Sequence, residues 1–294
     1  MNGLQGRMLH MPAPKGKNRE ILFVYGHHSS LERWFGVMLN LNRYGAVTMP
    51  DLPGFGGMDS FYKLGDRATI DNLADYLAAF IKMRYKRRRV TIAGMSLGFV
   101  IVTRMLQRYP DLAKKVDLLV SFAGFAHRDD FTFSKRRHFM YLTMARVFCL
   151  PVTSSFFRHV LLNPLLLKTV YRHTHNAKDK FHGLVEEELE EMLRFEVRLW
   201  HDNDVRTYMQ TSKEFLTLDN CTVKVNLPVY HLAVQNDRYF DNNVVEQHFR
   251  VIFSDYHLLA DLSIGNHAPS VIADAKAAAP FVPPKLRRLL AKPQ

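Results

Sequence analysis

Five consecutive residues, Gly94-Met95-Ser96-Leu97-Gly98, have the types and spacing that turn a serine hydroxyl into a nucleophile. A serine oxygen attacks a carbonyl only when a base removes its proton and the hydroxyl stands clear of its own chain. Glycines two positions before and two after Ser96 allow a tight, strained turn, because neither has a Cβ to collide with chain packed beside it. The apolar run Val90-Thr-Ile-Ala93 precedes this turn and a helical pattern through Arg108 follows it. Ser96 is therefore expected between the end of a strand and the start of a helix, whose free N–H groups favour negative charge.

A base and an orienting acid should follow. His267 lies in Ser263-Ile-Gly-Asn-His-Ala-Pro269, after the strand-like run Tyr256–Asp261. Asp237 lies thirty residues earlier in Val234-Gln-Asn-Asp-Arg-Tyr239, just past the run Pro228–Val234. That gap holds one helix and one strand, which returns a chain to the same edge of a parallel sheet. The chain has 14 histidines, so it is the position in a loop after a strand that singles out His267. Asp241, and Asp129 and Asp130 after an earlier strand, are alternatives for the acid; Asp237 is favoured. Negative charge developing on a carbonyl oxygen needs N–H donors. Leu97, next to the nucleophile, supplies one. His27 in Tyr25-Gly26-His27-His28-Ser29 supplies the other, since Gly26 permits close backbone approach. Metal binding by His27 and His28 is disfavoured, because adjacent histidines rarely chelate one ion and no third ligand is evident.

The elements that must position these groups are legible in the hydrophobic pattern. Strand-like runs at Ile21–Tyr25, Ala46–Met49, Val90–Ala93, Asp117–Phe122, Pro228–Val234 and Tyr256–Asp261 alternate with helical periodicities. One periodicity carries Leu31, Trp34, Phe35, Met38 and Leu39; another, over 71–84, carries Leu73, Tyr76, Leu77, Phe80 and Ile81. This alternation predicts an α/β fold with a mostly parallel, doubly wound sheet. From about Ala126 to Asn220 the pattern is helical throughout. The expected organisation is a core of residues 1–125 and 221–294 with a helical cap inserted at 126–220. Within that block Phe139–Met144 and Val160–Leu167 are candidates to line an apolar tunnel or to pack the helices on the core. The acidic run Glu186–Glu191 reads as a solvated helix face, since consecutive carboxylates point in different directions around a helix.

Composition bounds the rest. Of 294 residues, 47% are apolar and 23% charged, enough to bury a sizeable core. Two cysteines, Cys149 and Cys221, are too few for a disulfide framework or a thiolate zinc site. The first twenty residues lack the apolar run of an export signal and no stretch reads as a transmembrane span, so a cytoplasmic protein is expected. The net charge of +12 concentrates at Lys86–Arg89 and Lys285–Arg288. These read as a solvated helix end and tail, with peripheral contact to an anionic membrane as the other use. No zinc-finger spacing or aromatic-basic RNA motif accompanies them, so no nucleic acid is expected. Nothing in the sequence sets an oligomeric state.

From Ile21 to about Phe281 the chain resembles a serine hydrolase of the α/β-hydrolase superfamily with a helical cap. Asp51-Leu-Pro-Gly-Phe-Gly56 resembles that family's D-x-P-G-x-G turn, in which the aspartate is structural. Two positions depart from the pattern: Tyr25 stands where His often precedes the oxyanion-loop glycine, and Phe99 where a further glycine often follows the elbow. The resemblance implies a carboxylesterase- or lipase-like hydrolase that cleaves an ester or thioester of a small or lipid-like substrate through Ser96, His267 and Asp237. It implies no metal or organic cofactor. Rival readings on the same apparatus are a cofactor-free carbon–carbon hydrolase or perhydrolase, and an amidase or peptidase. A ligand-binding protein with slow or no turnover is the rival of another class. Epoxide hydrolases and dehalogenases carry a carboxylate at the position of Ser96.

Overall fold

The computed structural model describes residues 3–163, 166–167, 186–264, 267 and 274–292. Among them seven strands form one sheet: β1 (Met8–Met11), β2 (Arg19–Val24), β3 (Gly45–Pro50), β4 (Val90–Met95), β5 (Val116–Phe122), β6 (Val225–Val234) and β7 (Phe253–Leu262). Their order is β1-β3-β2-β4-β5-β6-β7. Every neighbouring pair is parallel except β1, which runs antiparallel to β3. The helices are α1 (Phe35–Asn42), α2 (Ile70–Arg84), α3 (Leu97–Arg108), α4 (Lys135–Phe148), α5 (Pro151–Phe156), α6 (Glu186–Asp202), α7 (Val205–Leu216), α8 (Asn242–Ile252) and α9 (Pro284–Ala291). A π-helical turn, Phe157–Leu161, continues α5.

Strands β2, β3 and β4 are buried along their whole length, as continuous apolar runs covered by helices on both faces must be. The α2 helix shows how the pattern becomes packing. Thr69 caps it by accepting from the Asn72 N–H, and Leu73, Ala74, Leu77, Ala78 and Ile81 turn one face into the core. The cations Lys86–Arg89 follow this helix instead of closing it. Tyr85 turns inward as the C-cap, and Arg88 pairs with Glu20 in the turn that leads to β4. The short edge strand β1 has no counterpart in the sequence pattern, because four half-exposed residues carry no resolvable period.

Between β5 and β6 a single 3-10 turn at Arg128–Asp130 precedes the first α-helix, which begins at Lys135, later than the pattern suggests. Residues before it form a loop tied to the core. Asp130 accepts from the N–H groups of Ala126 and His127 at 2.7 and 2.9 Å, and His127 and Phe131 make single bridges to Asp219 and Phe240. The apolar run Phe139–Met144 neither lines a tunnel nor packs on the core throughout. Phe139, Met140 and Met144 face solvent, with Phe139 68% exposed, while Ala145 takes the buried side of α4. Pro164 and Leu165 of the second run lie outside the described residues.

The strand order positions the site. β3 and β4 flank β2 on opposite sides, so the chain leaves β2 in one direction and β4 in the other. The adjacent C-terminal ends of β2 and β4 therefore open onto one crevice at the point where the order reverses. Gly26 follows one of these ends and Ser96 the other.

Candidate active site

Ser96 is the residue between β4 and α3, with φ 50° and ψ −119°. An L residue with a side chain resists this left-handed conformation, and its persistence marks a position that the surrounding packing overdetermines. The two flanking glycines supply that packing. A Cβ on Gly98 would stand 2.2 Å from the Val24 carbonyl oxygen and 2.4 Å from that of Tyr25, so α3 starts directly against the end of β2. A Cβ on Gly94 would meet the backbone of Phe99 at 2.7 Å. Phe99 is fully buried under the turn, against Phe249 and Phe253 at ring separations of 5.3 and 5.7 Å.

His267 Nε2 lies 3.0 Å from Ser96 Oγ, and His267 Nδ1 lies 2.6 Å from Asp237 Oδ2. An ionised carboxylate only accepts, so Nδ1 carries the proton and Nε2 presents its lone pair to the Ser96 hydroxyl. Asp237 is almost fully buried, and its other oxygen accepts from the Tyr239 N–H at 2.8 Å. Tyr239 and Phe240 stand edge-on to the imidazole at 5.4 and 5.1 Å. The sequence neighbours Gly265, Asn266, Ala268 and Pro269 of His267 lie outside the described residues. Of the alternative acids, Asp241 caps α8 and Asp129 is exposed. Asp130 is fully buried but is held by His248 Nδ1 at 2.5 Å.

Leu97 is the first residue of α3, where an N–H has no partner within the helix. Gly26 lies against Ser96: a Cβ there would stand 3.2 Å from Ser96 Cβ. The next residue, His27, has its ring turned away toward α7, where Nε2 lies 3.2 Å from the Tyr208 carbonyl and 3.0 Å from Thr211 Oγ1. Thr211 donates its own hydroxyl to the Thr207 carbonyl, so Nε2–H is the donor. Burial pushes the imidazole down to about 4, which keeps it neutral. His28, in the left-handed region at φ 51°, packs on Trp200 at 4.1 Å with the rings tilted by 46°, and meets Asn203 Nδ2 at 3.2 Å. Thus the two histidine side chains, weighed as metal ligands from sequence, hydrogen-bond to different groups and both pack against Tyr208 of α7, at 4.1 and 5.5 Å. Arg33 adds a third tie to those helices: it donates to the His28 carbonyl and to buried Glu196, both at 2.7 Å.

The Asp51 turn stands behind the same crevice. Tyr25 donates to Asp51 at 2.9 Å and accepts from the Leu52 N–H at 2.9 Å, while Arg7 Nε donates to the other carboxylate oxygen at 3.1 Å. A Cβ on Gly56, at φ 61°, would lie 2.1 Å from Asp51 Oδ1, so only glycine fits there. Burial raises the Asp51 carboxyl to about 7 against the opposing pull of Arg7 and Tyr25. Tyr25 thus serves this turn.

The fold and the turn that carries Ser96 define a class. The alpha/beta hydrolase fold family model matches residues 21–249, and the chain belongs to that family. It is similar in structure to a thermophilic esterase from Thermogutta terrifontis (TM-score 0.60, 14% identity, covering 98% of this chain and 95% of that one). It is also similar to the esterase EaEST from Exiguobacterium antarcticum (TM-score 0.64, 14% identity, 90% of each chain). The enol-lactonase from Burkholderia xenovorans LB400 is a third such structure (TM-score 0.61, 14% identity, 88% of each chain). No curated protein matches the chain in sequence.

Proposed function

We propose that the protein is a serine hydrolase that cleaves an ester or thioester by acyl transfer to water, with Ser96 as nucleophile, His267 as base and Asp237 as its orienting acid. The observation that carries this reading is the hydrogen-bonded series from Ser96 Oγ through His267 to Asp237, at 3.0 and 2.6 Å, beside a strained Ser96 at a helix start. Ser96 Oγ attacks the carbonyl carbon while its proton passes to His267 Nε2. The carbonyl oxygen becomes an oxyanion that accepts from the N–H groups of Leu97 and His27. Collapse expels an alkoxide or thiolate, which takes the proton from Nε2 and leaves Ser96 acylated. Water then attacks the acyl carbon, gives one proton to Nε2, and Ser96 leaves with that proton restored. Asp237 holds the tautomer and balances the charge of the imidazolium in both halves.

We read residues 126–220 as a cap whose helices fix the oxyanion loop. The ties of His27 to α7 and of Arg33 to α6 support this. An aromatic series runs from His267 through Phe240, Phe131 and Phe215 to His27, with successive ring separations of 5.1, 4.9, 5.7 and 5.2 Å. These rings favour an apolar acyl or aryl group over a charged one. Turnover of p-nitrophenyl esters of increasing acyl length tests the reading. Ser96→Ala and His267→Ala should each lose roughly 10⁶-fold in kcat and Asp237→Ala roughly 10⁴-fold. Ester turnover that survives in folded Ser96→Ala would exclude it.

A further inference from the structure

The helices α4 and α5, with the π-helical turn, present an apolar face to solvent where a water-soluble protein would place charge. Ten of the eighteen large apolar side chains exposed among the described residues fall within 139–166, a small fraction of the chain. On α4, Phe139, Met140, Met144 and Val147 share the side opposite buried Ala145. On α5 and its extension, Val152 at 80% exposure, Phe156 at 54% and Val160 recur at four-residue spacing and so form one stripe. Concentrated exposed apolar area of this kind marks an interaction surface.

The charge on the same segment says what it meets. Residues 135–161 contain five Lys and Arg and no Asp or Glu. Lys135, Arg136 and Arg137 form the first turn of α4, and Arg146 flanks its apolar face. Arg158 is engaged with the His201 and Asn203 carbonyls, and Arg137 with the Tyr141 hydroxyl. Lys135, Arg136 and Arg146 remain exposed beside the apolar residues. No single helix among the described residues is long and apolar enough to cross a membrane. Lys135–Phe148 and Pro151–Leu161 reach that apolar content only together, and they are bent by 97° to one another. Such a corner suits two short helices lying in the headgroup boundary with apolar side chains down and cations at the phosphates.

We propose that this face docks on an anionic lipid bilayer, with Phe139, Met140, Val147, Val152 and Phe156 inserted at the acyl boundary and Lys135, Arg136 and Arg146 against lipid phosphates. The docking stands apart from the hydrolytic reading, since it needs neither Ser96 nor His267.

The test is flotation of the purified 294-residue chain with vesicles of phosphatidylcholine alone and of phosphatidylcholine with phosphatidylglycerol. Binding is expected on the anionic vesicles, and roughly ten-fold or more weaker on the zwitterionic ones or in high salt. Phe139→Glu and Phe156→Glu should each weaken it by roughly ten-fold or more, and Arg136→Ala by roughly five-fold. Val251→Glu, at another exposed apolar position, on α8, should leave it unchanged. All four positions are exposed, and an unaltered melting temperature confirms that each variant folds. Ser96→Ala should float with wild type, which keeps this result separable from any failure of ester turnover. Absence of binding to anionic vesicles would overturn the proposal, as would binding indifferent to Phe139 and Phe156. Self-association abolished by the Phe variants, without vesicle binding, would overturn it in favour of a second copy as the occupant.

Discussion

Gly98→Ala sets two effects of opposite sign against each other beside Ser96. Position 98 is the second residue of α3, and helix propensity alone favours alanine over glycine there by up to about 1 kcal/mol. The added Cβ, however, would lie 2.2 Å from the Val24 oxygen and 2.4 Å from the Tyr25 oxygen. Both obstacles are backbone, so neither can swing aside. The start of α3 must move about 1 Å from the end of β2, an overpacking that costs about 1–3 kcal/mol. The upper end of that range applies because strand and helix are both buried, leaving a net loss of about 2 kcal/mol. The same displacement separates Ser96 and Leu97 from Gly26 and His27, and a shift of about 1 Å can lower turnover by roughly 10²-fold. Urea unfolding gives the first quantity and ester turnover the second. A Gly98→Ala variant as stable as wild type, with unchanged kcat, would refute the close approach from which both numbers follow.

Three further outcomes follow from buried polar groups. His231 is buried against Ser121 Oγ at 2.9 Å, and burial lowers it to about 3. The unfolded chain therefore takes up this proton first, near the ordinary histidine value of about 6.5, and stability is full above that pH and falls as pH drops toward 3. The His231 share of the loss between pH 8 and pH 5 should be about 2 kcal/mol, and His231→Gln should reduce the difference in urea stability between those two pH values by that amount. Glu196→Leu should cost about 3–5 kcal/mol by leaving buried Arg33 without this carboxylate, and Arg33→Met in the same chain should recover most of it; a double-mutant cycle showing no coupling would refute the pair. Tyr25→Phe should cost about 1–3 kcal/mol, because the buried Leu52 N–H loses its acceptor and Asp51 loses a donor, with thermal unfolding as the measure.

What could be read from sequence was local. Gly94, Ser96 and Gly98 carry their geometry within five residues, and the alternation of apolar runs and helical periods located six of the seven strands. Asp237 and His267 could be proposed from their places just after strands, yet Asp130 competed on the same grounds. In three dimensions the two carboxylates have different partners: His248 holds Asp130 from α8, while Asp237 reaches His267. Other features depend on partners far apart in the chain: His27 with Thr211, Arg33 with Glu196, and Tyr25 with Asp51. No pattern along the sequence pairs them. The run Phe139–Met144 illustrates a different gap. Helical periodicity reports that apolar residues share a face, but not which medium that face meets, and here it meets solvent.

The proposed chemistry rests on an activated Ser96, and a fluorophosphonate probe reads that activation directly. Incubated with folded wild-type protein and mapped by peptide mass spectrometry, the probe should label Ser96. It should leave Ser96→Ala unlabelled and react far more slowly with His267→Ala. Absence of an adduct on folded wild-type protein, or one on a residue other than Ser96, would contradict the proposed nucleophile.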